Sequence, residues 1–420
     1  MTKMNGLKYL TLAAGLIWTV NLHAGDTLKV NLRQADSLFL ARNFSLLASS
    51  MNIESQKAQV IQARLYPNPV LSLEFNAYDP ENKKVLHAGQ NGDKSIQFQQ
   101  LIVLGGKRKS EIEMAKTNQS IAELQFQDLL RQLKFKLHSA LFAVGQERFL
   151  IDKYNNQMAL LDTISVAYQI QVDKGNIPLK ELVRLKGAIL KLSDDRADLL
   201  KQYYDNQADL QKLLQSSAPI EFEYTENEIS KYIRLYTIEE LKAEALANRP
   251  DLLIMDQNKV LARQYLQYQK RLAVPDINFN TSYDQMGGAF KNEITAGIEI
   301  PIPVWNRNQG NIKASQFKLN QAEYDLLGMK NEIMGQLQGT YAFYSETVSE
   351  YQKASKLYNQ DFEITLKGMI ENFQKRNVSM IEFVDFFESY NEVLTELVRV
   401  KIQLVESGEE INQIVGKDLY

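Results

Sequence analysis

The sequence contains no cysteine and only three histidines in 420 residues. The lack of cysteine excludes disulfides, thiolate metal sites and a cysteine nucleophile. His23, His87 and His138 lie far apart, so they offer little to a histidine metal cluster or a serine–histidine catalytic site. The formal net charge is −3, which gives no basic footprint for nucleic acid. We therefore expect no enzymatic activity, no cofactor or metal site, and no nucleic-acid partner.

Long apolar runs are also missing, except near the N-terminus. Lys3 and Lys8 precede an apolar stretch at 10–20 that is too short to span a bilayer. Ala24 follows this stretch and is a small residue suited to a cleavage site. This pattern predicts a signal peptide over 1–24, with a buried N-terminal helix as the alternative. No later stretch approaches the ~18 apolar residues of a transmembrane helix. We expect an exported protein that has no helical membrane span.

Proline is absent from two long segments, 81–177 and 304–420. Because proline breaks helix interiors, such gaps permit long helices. The segment 107–172 is rich in Lys, Glu, Gln, Leu and Ala, and its apolar residues recur at three- and four-residue steps, as in a coiled coil. At ~1.5 Å per residue, a helix of this length would run on the order of 100 Å. The pattern indicates a rod or the wall of a tunnel.

The two halves of the chain resemble each other. Residues 43–75 align without a gap on 249–281, so that Leu46 meets Leu252 and Pro69 meets Pro275. This indicates an internal duplication, with repeats at 25–216 and 237–420 and a linker at 217–236. Each repeat is expected to contain a first helix, a hairpin, a long helix and a last helix. The helices are predicted at 31–65, 107–172 and 178–215, and again at 237–271, 308–373 and 379–415.

Four segments alternate between apolar and polar residues, which predicts strands at about 70–78, 94–101, 276–283 and 293–302. An amphipathic hairpin also suits a sheet on a soluble core. However, the strands approach the ~9–11 residues that cross a membrane when tilted. A lipid-facing sheet has to close into a barrel, and known bacterial barrels need at least ~8 strands. If these four strands cross a membrane, the chain has to oligomerise.

Three motifs resemble those of the TolC-like outer membrane factor family. They are Tyr-Pro-Asn-Pro at 66–69, Arg-Pro-Asp-Leu at 249–252 and Ile-Pro-Ile-Pro-Val-Trp-Asn-Arg-Asn-Gln-Gly at 300–310. The last motif is most similar to the branch that serves heavy-metal efflux of the cobalt–zinc–cadmium or copper–silver type. The resemblance covers residues 28–418. Many relatives carry a lipobox cysteine that this sequence lacks, so an acylated N-terminus is not expected.

The resemblance implies a mainly α-helical fold with a β-barrel segment. Three chains would form a homotrimer with a twelve-stranded barrel among outer-membrane lipids, continued by an α-helical tunnel through the periplasm. The family's partners are a periplasmic adaptor protein and an inner-membrane pump of the resistance–nodulation–division class. The expected function is passive conduction of heavy-metal cations out of the cell. A channel for drugs or secreted proteins and a structural coiled-coil protein of the envelope are the alternatives.

A glycine pair next to basic residues, Leu-Gly-Gly-Lys-Arg-Lys at 104–109, invites comparison with a phosphate-binding loop. The spacing Gly-x-x-x-x-Gly-Lys-Ser/Thr is absent. We interpret the segment instead as a bend between a strand and a helix that carries a basic collar.

The turns between the paired helices of each half are predicted to form the periplasmic tip of the tunnel. Helix–helix connectors generally need Gly, Asn or Pro, so the composition alone does not indicate a binding surface. The family resemblance implies that these turns contact the adaptor. The residues concerned are Gly175, Asn176, Ile177, Pro178, Arg376, Asn377, Val378 and Ser379.

Two acidic residues follow the second tip. Glu382 and Asp385 are three positions apart and would share one face of a helix. TolC-like proteins carry two acidic residues at this spacing, which line the periplasmic constriction, and the resemblance carries that role to these two positions. The family's arginine just upstream falls on Val378, so a salt bridge at this gate is not expected. The alternative is that both carboxylates only solvate the helix surface.

Overall fold

A computed structural model describes residues 27–287, 289–358 and 360–420. The predicted signal peptide lies outside these residues. The described elements, in chain order, are β1 (Leu28–Val30), α1 (Leu32–Arg42), α2 (Phe44–Ala63), β2 (Val70–Phe75), β3 (Tyr78–Asp79), β4 (Lys84–Val85), β5 (Lys94–Ile102), α3 (Lys107–Asp173), α4 (Leu179–Leu214), β6 (Ile220–Phe222), α5 (Glu226–Ser230), a 3₁₀ turn (Lys231–Ile233), α6 (Ile238–Asn248), α7 (Pro250–Leu272), β7 (Ile277–Met286), β8 (Phe290–Glu299), α8 (Gln309–Leu357), α9 (Gln360–Gln374) and α10 (Met380–Val415).

Helix α3 is the central helix of the helical body. It has 67 residues, which corresponds to about 100 Å at 1.5 Å per residue. The predicted apolar seam is found: Leu137 and Val144 are buried, and Phe126 packs against the same core. Helices α2 and α7 pack along α3, as do α4 and α10. In the described part of the chain, no helix combines the length and the apolarity that a membrane crossing needs.

Two predicted first helices are each divided in the structure. The helix expected at 31–65 is interrupted at Asn43, whose side-chain oxygen accepts hydrogen bonds from the backbone N–H groups of Ser45 and Leu46 at 3.0 and 3.2 Å. The helix expected at 237–271 is interrupted before Pro250, which occupies the first position of α7. Asparagine is a favoured helix N-cap and proline a favoured first residue. The prediction of continuous helices was wrong at both points.

The second long helix, expected at 308–373, is also divided, into α8 and α9. Tyr358 leaves the helical conformation, with φ −89° and ψ 90°. Its hydroxyl donates a hydrogen bond of 2.8 Å to Glu363 Oε1, which also lies 2.7 Å from Lys153 Nζ and 3.2 Å from the hydroxyl of Tyr390. Three side chains thus converge on Glu363 beside the interruption.

The predicted strands form one antiparallel sheet in the order β2-β5-β7-β8. One row across the sheet runs from Leu73 through Ile96 and Tyr283 to Ile294. The register therefore places most apolar residues of the four strands on one face, as their alternation predicted, whereas Val70 and Leu101 lie on the other face. The pairing of β5 with β7 joins the hairpins of the two halves. The loop 79–92 contributes to an additional small hairpin, β3–β4, that was not predicted.

The segment 217–236, interpreted as a linker, is folded. Its strand β6 pairs in parallel with β1, and α5 and the 3₁₀ turn follow. We call β1, β6, α5, the 3₁₀ turn and α6 the belt. The ring of Phe142, near the middle of α3, packs edge-to-face on Phe222 with centroids 5.0 Å apart, and Tyr232 is fully buried. The belt therefore covers one side of the helical body at mid-length.

The chain bends between β5 and α3 at Gly105 and Gly106, with φ of +67° and +73°. These left-handed conformations favour glycine, and the predicted bend is confirmed. The basic residues that follow are engaged within the fold. Lys107 is buried and lies 2.8 Å from an Asp276 oxygen, and the Arg108 guanidinium stacks 3.6 Å from the centroid of the Tyr66 ring.

Candidate outer-membrane surface, helical tips and acidic pair

One face of the sheet is apolar and open. Leu71 is 63% exposed, Ile294 76% and Ile298 67%. The opposite face is mainly polar and internally hydrogen-bonded: the Ser95 hydroxyl donates to Asp284 Oδ1 over 2.6 Å. An apolar surface of this kind, contiguous across four strands, marks a site that contacts lipid or another protein.

The sheet is open at both sides. Within the described residues, β2 pairs only with β5, and β8 pairs only with β7. The outer edge of each of these strands presents backbone N–H and C=O groups without a strand partner, which is a template for pairing with another chain.

The two helix–helix turns have the same backbone design. Gly175 and Arg376 both adopt a left-handed conformation, with φ of +73° and +61°. The next residue in each turn donates a backbone hydrogen bond of 2.9 Å back to the preceding helix, from Asn176 to the Gln171 carbonyl and from Asn377 to the Asn372 carbonyl. This is the bond pattern of a Schellman C-cap. The two turns are therefore structurally equivalent, although one has glycine and the other has arginine at the left-handed position.

The predicted adaptor-contacting residues of both turns lie mostly at the surface. Gly175, Asn176 and Pro178 are exposed, while Ile177 is half-buried; in the second turn Val378 is half-buried, and Arg376, Asn377 and Ser379 are exposed. Behind the turns, the ring of Phe373 stacks on Tyr168 at 5.6 Å and on Phe383 at 4.2 Å. The stacked rings pack the ends of the two helical hairpins, α3–α4 and α9–α10, side by side. Their polar turns therefore form one end of the helical body.

Glu382 and Asp385 lie on the exposed face of the first turns of α10, while Phe383, Val384 and Phe387 are buried behind them. The structure thus places the two carboxylates on one solvated face, as their spacing predicted. Glu382 has a local role as well. Its carboxylate accepts hydrogen bonds from the backbone N–H and the hydroxyl of Ser379 at 2.9 and 2.8 Å, and the Ser379 hydroxyl accepts from Glu382 N–H. This is a capping box.

Hydrogen bonds from the backbone and the hydroxyl of Ser379 lower the pKa of Glu382. The carboxylate is therefore charged at neutral pH. No cluster of three or more His, Asp or Glu side chains that could hold a metal ion occurs among the described residues.

The sequence and the fold both have counterparts among known proteins. No family model matches the chain. The cobalt-zinc-cadmium resistance protein CzcC of Cupriavidus metallidurans is 21% identical over 408 residues, which cover 92% of this chain and 90% of that protein. A crystal structure of CusC, described in connection with transmembrane channel formation, superposes with a TM-score of 0.74 at 16% identity and covers 92% of both chains.

Two further solved structures are similar. The CmeC outer membrane channel of Campylobacter jejuni has a TM-score of 0.72 at 11% identity, over 91% of this chain and 85% of that one. The open MtrE outer membrane channel of Neisseria gonorrhoeae has a TM-score of 0.71 at 14% identity, over 92% and 88%.

The chain has the fold of the TolC-like outer membrane channels. The resemblance found in the sequence motifs is thereby confirmed, and it extends over nearly the whole described chain. The outer-membrane location expected from the sequence agrees with the channels named above.

One polar cluster of this TolC-like fold was missed in the sequence. His138 of α3 lies between two carboxylates: its Nε2 is 2.8 Å from Asp36 of α1 and its Nδ1 is 2.9 Å from Glu409 of α10. Glu409 also accepts hydrogen bonds from the Tyr232 hydroxyl and from Asn412. The partners of His138 are 102 and 271 residues away along the chain, so no local spacing could reveal them.

The cluster is buried, with His138 5% and Glu409 3% exposed. Burial alone would lower the pKa of His138, but its hydrogen bonds to Asp36 and Glu409 outweigh this effect and raise the pKa to about 9. The imidazole is therefore protonated at neutral pH, and both ring nitrogens donate. This ion cluster joins α1 and the belt to the two long helices α3 and α10.

Proposed function

We propose that the chain is the outer-membrane channel subunit of a tripartite efflux system. Three copies form a homotrimer, in which three four-stranded sheets close into a twelve-stranded barrel and the helical bodies form a tunnel through the periplasm. The channel conducts substrate passively, and the chain is not an enzyme.

The observation that carries this proposal is the open sheet. Its apolar face is exposed, and the outer edges of β2 and β8 both lack a strand partner among the residues that the structure describes. In hydrocarbon every backbone polar group has to be satisfied, so a lipid-facing sheet has to close. Four strands are too few for a barrel, since the smallest bacterial barrels have about 8. Pairing of β2 in one copy with β8 in the next removes both edges at once.

The helical end supplies the contacts to the rest of the system. In this assembly the turns at 175–178 and 376–379 form the periplasmic tip and contact an adaptor protein, which connects the channel to an inner-membrane pump of the resistance–nodulation–division class. Glu382 and Asp385 lie just behind the second turn. A trimer brings six such carboxylates around the axis, where they form a cation-attracting constriction.

Heavy-metal cations are the proposed cargo. The support is the sequence similarity to a cobalt-zinc-cadmium resistance protein together with the Asn-Arg-Asn-Gln-Gly run at 306–310. Deleting the gene should lower the tolerance of cells to cobalt, zinc or cadmium salts. If only tolerance to organic toxicants falls, the channel serves drugs instead.

Disulfide crosslinking between copies tests the assembly. Because the chain has no native cysteine, only the introduced cysteines can form a disulfide. Ser72→Cys in β2 is combined in turn with Glu293→Cys, Thr295→Cys or Glu299→Cys in β8. We expect one of these pairs to give a covalent trimer in detergent. The matched control is Ser72→Cys with Ser282→Cys, because β7 lies inside the sheet and should not reach a neighbouring β2. A water-soluble monomer that no pair crosslinks would refute the proposal.

A further inference from the structure

A deep groove runs between α4 and α10 along α3. It contains two adjoining cavities of about 870 and 490 Å³, which share Leu150, Leu199, Gln202 and Thr395 as lining residues. Drug-sized ligands generally occupy pockets of about 300–1,000 Å³. The α4–α10 groove is therefore large enough for an organic molecule.

The groove lies on the side of α3 that faces away from the belt. The α3 residues that line it include Lys136, Ala140, Ala143 and Glu147, which recur at three- and four-residue steps and so share one helical face. Phe142, which packs on the belt, lies on the other face. If three copies form the proposed tunnel, the bulky belt has to lie outside it, which leaves the groove on the wall of the lumen.

The groove carries an excess of negative charge. The smaller cavity is lined by five acidic side chains and one basic side chain, and the larger cavity by three of each kind. Two of the basic groups are already paired: Lys191 lies 3.7 Å from Glu392, and Arg399 lies 2.6 Å from Glu396. Lys136 and Lys212 are exposed. In the larger cavity Arg399 is thus paired and both lysines are exposed, whereas the carboxyl group of Glu147 is buried, and this arrangement favours a cation.

Glu147 is the decisive side chain. It is only 4% exposed, and it lines the larger cavity. Its Oε1 accepts a hydrogen bond of 2.8 Å from Asn206, but its Oε2 has no hydrogen-bond partner among the described residues. An unpaired buried carboxylate oxygen is costly. Burial raises the pKa of Glu147, and burial together with Glu410 raises the pKa of Glu406 on the facing helix. Neither carboxylate forms an ion pair among the described residues.

We propose that the α4–α10 groove binds amphipathic organic cations. The charged centre of the ligand lies against Glu147 and Glu406, and its apolar part packs on Leu150, Leu199 and their neighbours. A chelated metal ion fits less well, because no cluster of three carboxylates or imidazoles occurs in the described chain. The position of the site on the lumen wall rests on the proposed channel function, whereas the binding itself does not.

Equilibrium dialysis of radiolabelled tetraphenylphosphonium against the detergent-purified protein tests the proposal, with a detergent blank of equal concentration. We expect saturable binding that weakens at least tenfold in the double variant Glu147→Gln/Glu406→Gln. Glutamine at 147 keeps the acceptor for Asn206 and removes only the charge. The matched control, Glu323→Gln, removes an exposed carboxylate of α8 outside the groove and should bind like the wild type. Circular dichroism confirms that each variant is folded.

Saturable binding that persists unchanged in the double variant would overturn the site, as would the absence of saturable binding in the wild type. A competition experiment with Zn²⁺ distinguishes organic cations from metal ions. If Zn²⁺ displaces the probe, and if binding of Zn²⁺ also requires Glu147 and Glu406, the groove is a metal site and the assignment to organic cations fails. Conductance in planar bilayers is measured separately. If the protein conducts but does not bind the probe, the proposed binding site is refuted and the channel function is not. If the protein binds the probe but does not conduct, the proposed channel function is refuted.

Discussion

Nδ1 of His138 lies 2.9 Å from Oε1 of Glu409, and the two residues join the middle of α3 to the C-terminal part of α10. Because the pKa of His138 is about 9 in the folded chain and about 6.5 in an unfolded one, the cluster should stabilise the fold fully below pH 6.5. This contribution is lost as the pH rises through 9. The full effect is on the order of 3 kcal/mol.

Thermal unfolding followed by circular dichroism between pH 6 and 9.5 measures this effect. We expect the melting temperature to fall steadily over that range in the wild type. In His138→Gln the melting temperature should be lower at pH 6 and should depend less on pH. A wild-type profile that is flat between pH 6.5 and 9 would contradict the raised pKa.

The acidic pair of α10 is predicted to control cation selectivity. Alanine at 382 would also remove half of the capping box, at a cost of about 0.5–2 kcal/mol. Glu382→Gln keeps the box, since glutamine serves the same role, and Asp385→Asn is similar in size to the native residue. In planar bilayers the double variant should lose cation preference and need at least tenfold more cobalt hexammine for block from the periplasmic side.

Glu323→Gln is the control for this experiment, because that residue is an exposed glutamate of α8 that lies away from the tip and outside the α4–α10 groove. It should leave block unchanged. If the double variant at 382 and 385 behaves like this control, the constriction lies elsewhere.

The turns at the helical end should crosslink to the adaptor. Cysteine at Asn176 or Asn377, treated in cells with a short bismaleimide, is expected to yield an adduct with the adaptor, since the backbone of both turns is exposed. Lys84→Cys, in the loop at the opposite end of the molecule, serves as the control. Adducts obtained only from position 84 would show that the molecule is oriented the other way.

Two glycines allow the belt to approach the helices closely. A Cβ at Gly145 would lie 2.7 Å from Cε1 of Tyr224, and a Cβ at Gly408 would lie 2.5 Å from Cδ1 of Tyr232. Gly145→Ala and Gly408→Ala should each destabilise the fold by about 1–3 kcal/mol, because rings in a packed core have to move.

Gly187 and Gly339 provide matched controls. Both lie inside helices, and nothing stands within 4 Å of a Cβ added at either position. Alanine there should raise the stability by about 0.5–1 kcal/mol, through helix propensity alone. Chemical denaturation of the four variants gives the comparison, and equal effects at all four positions would rule out the packing argument.

The sequence predicted the elements whose pattern is local. Alternation placed Leu73 and Ile294 on one face of the sheet, and the lack of proline predicted the length of α3. Asn43 and Pro250 carried cap signals that would have located two of the helix interruptions. The interruption at Tyr358 has no glycine or proline beside it, and the residues that contact the segment there, Lys153 and Tyr390, are partly distant in sequence. The parallel pairing of β1 with β6 likewise depends on residues distant in sequence, which no period reveals.

The pairing of Leu28 with Ile220 has a consequence for the order in which the molecule can fold. Strand β1 is among the first described residues to be synthesised, yet its partner emerges almost two hundred residues later, and Glu409 follows after nearly two hundred more. Closing such large loops is slow. The hairpins of each half can form early, but β1 cannot pair until β6 has emerged, and the belt cannot pack on α10 until almost the whole chain has left the ribosome and the export machinery. A secreted chain interrupted before α10 would therefore expose an incompletely packed belt to proteases.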